Sequence, residues 1–150
     1  YLAAGDIINI SKDVYIEILS PQRGNVLDEE DENKNSLVLR LNVKGSSVLM
    51  TGDIDENGEK TLISDADVKC DILKVAHHGS RYSSCEKFID AASPETAVIQ
   101  VGRNTYGHPS EEVIKRLEEH KITVLRNDKQ GAVGIRVNKA GGFGIVTMRN

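Results

Sequence analysis

The 150-residue sequence contains no tryptophan, and aromatic residues make up only 4% of it. Its interior must therefore be filled by Val, Ile, Leu and Ala, the usual packing of β-rich and α/β cores. Cysteine is scarce: Cys70 and Cys85 form neither a CxxC pair nor a disulfide framework. Cys70, at the head of an apolar run, reads as a small core residue. No stretch approaches the ~20 apolar residues that span a bilayer, and no signal-peptide pattern opens the chain. Positive charge is not in excess, because the formal net charge is −4. A basic face for gripping a phosphate backbone is thus missing, although bound cations can supply that charge for a phosphodiester. The one charge run, DEEDE at 28–32, is acidic and reads as part of a solvated loop over 21–35.

What is present is ordinary for one globular domain: 39% hydrophobic and 28% charged residues, over a length that can bury a core. The first half predicts strands at 7–10, 14–19, 37–43 and 46–50, rich in β-branched residues and punctuated by Gly, Asp, Asn and Pro. The last two form a hairpin turning at 44–46, with Leu37, Leu39, Leu41 and Val43 on one face. From Asp53 onward strands alternate with helices. A helix is predicted over 56–63, a strand over 71–76, and a helix with Phe88, Ile89 and Ala92 on its buried stripe. Ser83 and Glu86 have the spacing of a capping box for that second helix. A strand at 97–101 follows, then a helix capped by Ser110 with Val113, Ile114 and Leu117 as its apolar face. Strands at 123–125, 132–137 and 143–148 close the chain, the last two as a hairpin around 140–142. The expected class is α/β with a mixed sheet in a single unit.

Three segments place polar, metal-competent residues directly after buried strands. They are Thr51-Gly52-Asp53, His77-His78-Gly79-Ser80 and Gly107-His108-Pro109. Ligands collect outside the carboxyl ends of strands in α/β sheets, so three of the four histidines fall at candidate positions. His120 ends a helix, where a cation suits the dipole. Adjacent imidazoles on a turn point in different directions, so one can bind a metal while the other faces a substrate. Asp53 offers a carboxylate able to bridge two metals. Taken singly, each residue has a plainer explanation, a turn aspartate or a hydrogen-bonded core histidine, and spacing alone divides the two readings about evenly.

The blocks LVLRLNVKGSSVLMTGDIDENGEKTLI, DILKVAHHGSRYSS and SPETAVIQVGRNTYGHPSEEVIKRLEEHKITVLRNDKQGAVGI decide between them. In that order, they resemble the metallo-β-lactamase-type domain that ends the ComEC family of DNA-uptake competence proteins. The opening AAGDIINISKDVYIEILSP is similar to the segment before that core, so the resemblance covers nearly the whole chain. Stand-alone hydrolases share the same blocks. The resemblance implies an αββα sandwich with two metal ions, zinc or manganese, in the complete domain. It implies that Asp53 is a metal-bridging ligand and that the HHGS block supplies a late histidine ligand. We assign that ligand to His78 and the substrate-facing role to His77, with the reverse assignment open. His108 corresponds to a histidine near the scissile group, a candidate to stabilise the leaving oxygen or act as general acid. Ser80, Arg103 and Tyr106 are the candidates for substrate contact; Ser80 also reads as a turn cap, and Arg103 and Tyr106, like Arg81 and Tyr82, as plain surface residues.

One departure stands out. The family's first metal motif, an HxHxDH-like loop, has no counterpart, because no histidine precedes His77. Residues 1–150 are therefore expected to be the C-terminal part of such a domain, with weak metal affinity and little hydrolysis alone. The expected partners are DNA or another phosphodiester, the missing N-terminal part of the domain, and a second copy in a homodimer covering an exposed sheet edge or core face. The parent would be membrane-bound, with this domain soluble and extracytoplasmic. A serine or cysteine hydrolase is disfavoured, since Ser80 lacks a GxSxG elbow and Cys85 falls in a predicted helix. GRNTYG lacks the Lys-Ser/Thr of a Walker loop. The rival that stands is a docking module with a vestigial site.

Overall fold

The computed structural model describes residues 1–24 and 32–148. Residues 28–31 of the acidic run lie outside the described residues, and Glu32 opens a short 3-10 turn, Glu32–Asn35. Seven strands form one sheet in sequence order: β1 (Ile7–Ser11), β2 (Val14–Ser20), β3 (Val38–Val43), β4 (Ser46–Met50), β5 (Ile72–Lys74), β6 (Thr96–Ile99) and β7 (Thr123–Arg126). The first four pair antiparallel, and β4 through β7 pair parallel. Helices α1 (Glu56–Asp65), α2 (Glu86–Ala92) and α3 (Glu111–Glu119) cross between the parallel strands. A short helix, α4 (Asn127–Gln130), leads into a separate hairpin of β8 (Ala132–Val137) and β9 (Phe143–Met148). This is the mixed α/β sheet with flanking helices expected from the sequence.

The two faces of the sheet are unequal. On one, Leu49, Leu73, Ala97 and Ile99 pack with Leu62, Phe88, Ile89, Val113 and Leu117 of the helices, all buried. On the other, Val48, Ile72 and Val98 meet Leu41 and the hairpin residues Val133 and Phe143. The predicted alternation of Leu37, Leu39 and Leu41 holds, but it points to this second, half-covered face. Val38 between them is the β3 residue that enters the main core. Leu37 and Met50 stay 40% exposed as a result.

Local chemistry sets the turns. Lys44 and Gly45 take positive φ of 51° and 91°, the geometry of a two-residue hairpin turn between β3 and β4. Asp55 caps α1 by accepting from the Gly58 amide, and Ser110 caps α3 by accepting from Val113. The capping box expected at Ser83 does not form. Cys85 is the N-cap of α2 without a side-chain bond, and the Ser83 hydroxyl is buried with no hydrogen-bond partner among the described residues. The carboxylate of Glu59 on α1 accepts from the Ser84 and Cys85 amides instead, at 2.5 and 2.8 Å. A carboxyl group offers two acceptor oxygens, one for each amide, where a hydroxyl offers one, and Ser84, at φ 56°, turns the chain toward it.

Glu59 is fully buried, and that burial pushes its carboxyl up to about 7, against the bonds from Cys85 and Ser84 that pull it down. A folded-state value above the unfolded 4.5 means the fold favours the protonated form. Its contribution to stability is complete below about pH 4.5 and is lost as the pH rises through about 7, by up to about 3 kcal/mol. Denaturant titrations across that window should show this decline in the wild type and a flatter profile in Glu59→Gln. An equal slope in both would contradict it.

Candidate functional site

The parallel strands β4, β5 and β6 deliver their following loops to one edge of the sheet, and backbone bonds tie those loops together. The His77 amide donates to the Gly52 carbonyl at 3.2 Å, and the Ser110 amide donates to the Gly79 carbonyl at 2.9 Å. Asp53 follows β4, His77 and His78 lie in the 3-10 turn Ala76–Gly79 after β5, and His108 lies in the loop between β6 and α3. The chain thus gathers all three predicted segments.

At the first loop, Gly52 has φ +57°, and a Cβ there would lie 2.9 Å from the Ser36 Cβ. The close approach lets the Ser36 hydroxyl accept from the Asp53 amide at 3.0 Å. The Asp53 carboxylate is 37% exposed and faces two partners. Its Oδ2 stands 3.6 Å from His78 Nε2, and its Oδ1 stands 3.5 Å from Lys74 Nζ. Lys74, the last residue of β5, also donates to the Gly52 carbonyl at 2.8 Å. Burial lowers its ammonium pKa, opposed by the attraction of Asp53.

The second loop is strained. His77 and His78 both occupy the left-handed region, at φ 46° and 55°, followed by Gly79 at +81°. Two consecutive non-glycine residues there cost on the order of 1–2 kcal/mol each, and such strain concentrates at sites where geometry is imposed. The strain separates the rings. His78 Nδ1 lies 2.6 Å from the Gln100 carbonyl, which can only accept, so Nδ1 carries the proton and Nε2 is turned to Asp53. His77 turns the other way, edge-on to His108 with ring centroids 5.7 Å apart. Ser80 is buried, and its hydroxyl accepts from the Tyr82 amide at 3.3 Å.

The third loop is organised by Asn104, which the sequence reading did not name. Its Oδ1 accepts from the Tyr106 and His108 amides, and its Nδ2 donates to the Gly102 and His108 carbonyls. The Tyr106 ring stacks on His108 at 6.1 Å. Burial lowers the His108 pKa, with His77, His78 and Arg81 adding to the effect. Arg103 and Tyr106 are exposed beside it, as are Arg81 and Tyr82 near the second loop. Lys74 was also missed; a lysine inside the apolar run DILKVA was the available signal.

Among the described residues, three metal-competent side chains come within 4.8 Å of one another only at Glu86, Asp90 and His120, on α2 and at the end of α3. There the His120 Nδ1 donates to the Arg116 carbonyl at 2.8 Å, and Nε2 lies 3.0 Å from Asp90. That contact with the last turn of α3 raises the His120 pKa, the helix-end role read from the sequence. Asp53 and His78 form a pair rather than a triad.

The contact between the second and third loops should be intolerant of change. A Cβ on Gly79 would lie 2.6 Å from the Pro109 Cβ, in a backbone conformation that side chains disfavour. Gly79→Ala is expected to lose about 1–3 kcal/mol of stability, with the His77 and His108 ring resonances shifting together in NMR spectra. An unchanged melting temperature would show that the loops do not press on one another.

No family model matches the chain. It is 39% identical over 144 residues to ComE operon protein 3 of Bacillus subtilis (strain 168), which covers 94% of this chain and 18% of that protein. It is 39% identical over 132 residues to Competence protein ComA of Neisseria gonorrhoeae, covering 85% of this chain and 18% of that protein. Recombination protein 2 of Haemophilus influenzae is 35% identical over 126 residues, 83% of this chain and 15% of that protein. The chain therefore spans less than a fifth of the length of these relatives. Over most of its length it is related to one segment of a competence-related group of proteins.

Proposed function

We propose that the chain is part of a metal-dependent hydrolase domain of the metallo-β-lactamase fold, acting on DNA phosphodiester bonds during competence-associated uptake. One observation carries this reading: Asp53 Oδ2 and His78 Nε2 face each other at 3.6 Å at the carboxyl edge of the parallel strands, with His78 Nδ1 already tied to a carbonyl. Metal-ligating histidines characteristically donate their other ring N–H in this way. Tetrahedral zinc with bonds of about 2.0–2.2 Å separates neighbouring ligand atoms by about 3.3–3.6 Å. The two atoms fit as neighbouring ligands of one ion. They supply two ligands where a catalytic zinc takes three from protein, so the fit is to part of a site.

We assign the remaining ligands to a further part of the same domain. The half-covered face of the sheet forms a groove of about 400 Å³, floored by Leu39, Val48, Ile72 and Val98. Gly52, Lys74 and Gln100 also line it, so the groove is continuous with the site. A packed layer with an apolar face would cover the floor and bring its own ligands to Asp53 and His78; a second copy of the chain is the other cover. Zinc or manganese bound there would activate water and neutralise phosphate charge. Of the chain's own groups, Asp53 and His78 would hold the metal. His77 and His108 would face the reacting phosphate, with His108 placed to donate a proton to the leaving oxygen. Arg103 and Tyr106 would touch the flanking nucleic acid, and Ser80 would shape the turn. The parent would be membrane-bound with this domain extracytoplasmic; among the described residues no helix is long and apolar enough to cross a membrane.

Lys74 favours the docking-module reading, because its ammonium occupies one side of Asp53 where a second ion would sit. Metal content and single-strand DNA hydrolysis with added Mn²⁺ or Zn²⁺ distinguish the two, measured on the chain and on a form extended N-terminally. The extended form is expected to bind about two ions and to lose hydrolysis on Asp53→Ala or His78→Ala, with metal affinity falling by more than the about 10–100-fold that loss of an outer-shell partner costs. Absence of metal from both forms would leave the docking module, and activity retained in the variants would show that Asp53 and His78 are not the site.

A further inference from the structure

Glu59 belongs to none of the three loops of the candidate site, yet it connects two of them. It sits on α1, whose N-cap Asp55 follows Asp53 by two residues. Its carboxylate accepts from the amides of Ser84 and Cys85, in the segment that leaves the His77-His78-Gly79-Ser80 turn. The Ser84 carbonyl is held from the other side by Arg116 Nη1 of α3, at 2.6 Å. A buried carboxyl group and a cation thus grip the backbone of one residue that stands in the left-handed region at φ 56°. The side chains of this segment do not do the same work: the Ser83 and Ser84 hydroxyls are buried without a hydrogen-bond partner among the described residues.

From Ser84 the hold passes back to the histidines through successive backbone bonds. The Ser83 amide donates to the Ser80 carbonyl at 3.1 Å, and the Ser80 amide donates to the His77 carbonyl at 2.9 Å. A second tie runs parallel to it, the Glu56 amide donating to the Tyr82 carbonyl at 2.8 Å. Both ties start on the first turn and a half of α1, so the helix that begins beside Asp53 also fixes the exit of the histidine turn. The strained pair His77–His78 has no side-chain cap of its own and relies on restraint at its ends.

We infer that Glu59 is a positioning residue: its bonds to Ser84 and Cys85 set the placement of His78 relative to Asp53. The inference rests on the proposal that these two residues share a ligand. Removing the anchor lets the 80–85 segment relax, the turn loses its exit restraint, and the His78 ring leaves the Gln100 carbonyl. A residue that merely fills the core would lower stability without moving that ring.

The test compares Glu59→Gln and Arg116→Met with Leu62→Ala, a core change on the same helix. Imidazole ¹⁵N NMR of the chain reads the protonated Nδ1 of His78, and Zn²⁺ titration reads affinity. Both Glu59→Gln and Arg116→Met are expected to shift or broaden the His78 Nδ1 signal and weaken Zn²⁺ binding about tenfold. Leu62→Ala should lower the melting temperature and leave the His78 signal in place. Arg116→Met keeps the test alive if Glu59→Gln fails to fold, because Arg116 lies outside the core. A His78 signal unchanged in both variants overturns the inference, as does an equal shift in Leu62→Ala. If wild-type chain takes up no Zn²⁺ while the His78 signal moves as expected, the shared-ligand reading fails and the positioning role stands.

Discussion

Parallel pairing of β4, β5 and β6 is the constraint on which the rest depends. Parallel strands all end at the same edge, so Asp53, the His77–His78 turn and the His108 loop converge whatever their separation in sequence. The pairing then continues beyond the strands as direct bonds between loops, from His77 to Gly52 and from Ser110 to Gly79. These bonds leave little room for the loops. The chain answers with glycines at Gly52 and Gly79, where a Cβ would strike Ser36 or Pro109, and with two histidines held in the left-handed region. The site is therefore a consequence of sheet topology, sharpened by local strain.

The same sheet explains why one face lies open beside the candidate site. Helices cover one face fully, with Phe88, Ile89, Val113 and Leu117 all buried. A two-stranded hairpin covers only part of the other, leaving Leu37, Met50 and Ile135 between 37% and 40% exposed around a groove. Apolar surface of that kind is costly in water. The groove reaches Lys74 and Gln100 at the candidate site, so under the proposed function covering the face and completing the ligand set would be one geometric problem.

Much of this was legible in the sequence. Element type followed from periodicity, and β4, β8 and β9 fall on the predicted residues. Asp53, His77, His78 and His108 were readable because each follows an apolar strand. The interactions that hold them were not. Asn104 bonds within four residues of itself, a local turn signal that went unread. Lys74 and Glu59 act on backbone carbonyls and amides that tertiary packing brings near, and no local pattern encodes such partners. The Ser83 capping box failed for the same reason, since a glutamate 24 residues earlier supplied two acceptor oxygens. The face chosen by Leu37, Leu39 and Leu41 could not be read from their alternation, because this sheet carries apolar residues on both faces.

Under the proposed function the chemistry turns on the division of labour between the two adjacent histidines: one ring committed through a carbonyl to face Asp53, the other turned toward His108. The most direct test is an anomalous-difference map at the zinc edge, from crystals of the N-terminally extended form grown with Zn²⁺. The account predicts a peak about 2.0–2.2 Å from both Asp53 Oδ2 and His78 Nε2, with His77 unligated. A peak on His77 instead, or on Glu86, Asp90 and His120 alone, would contradict it.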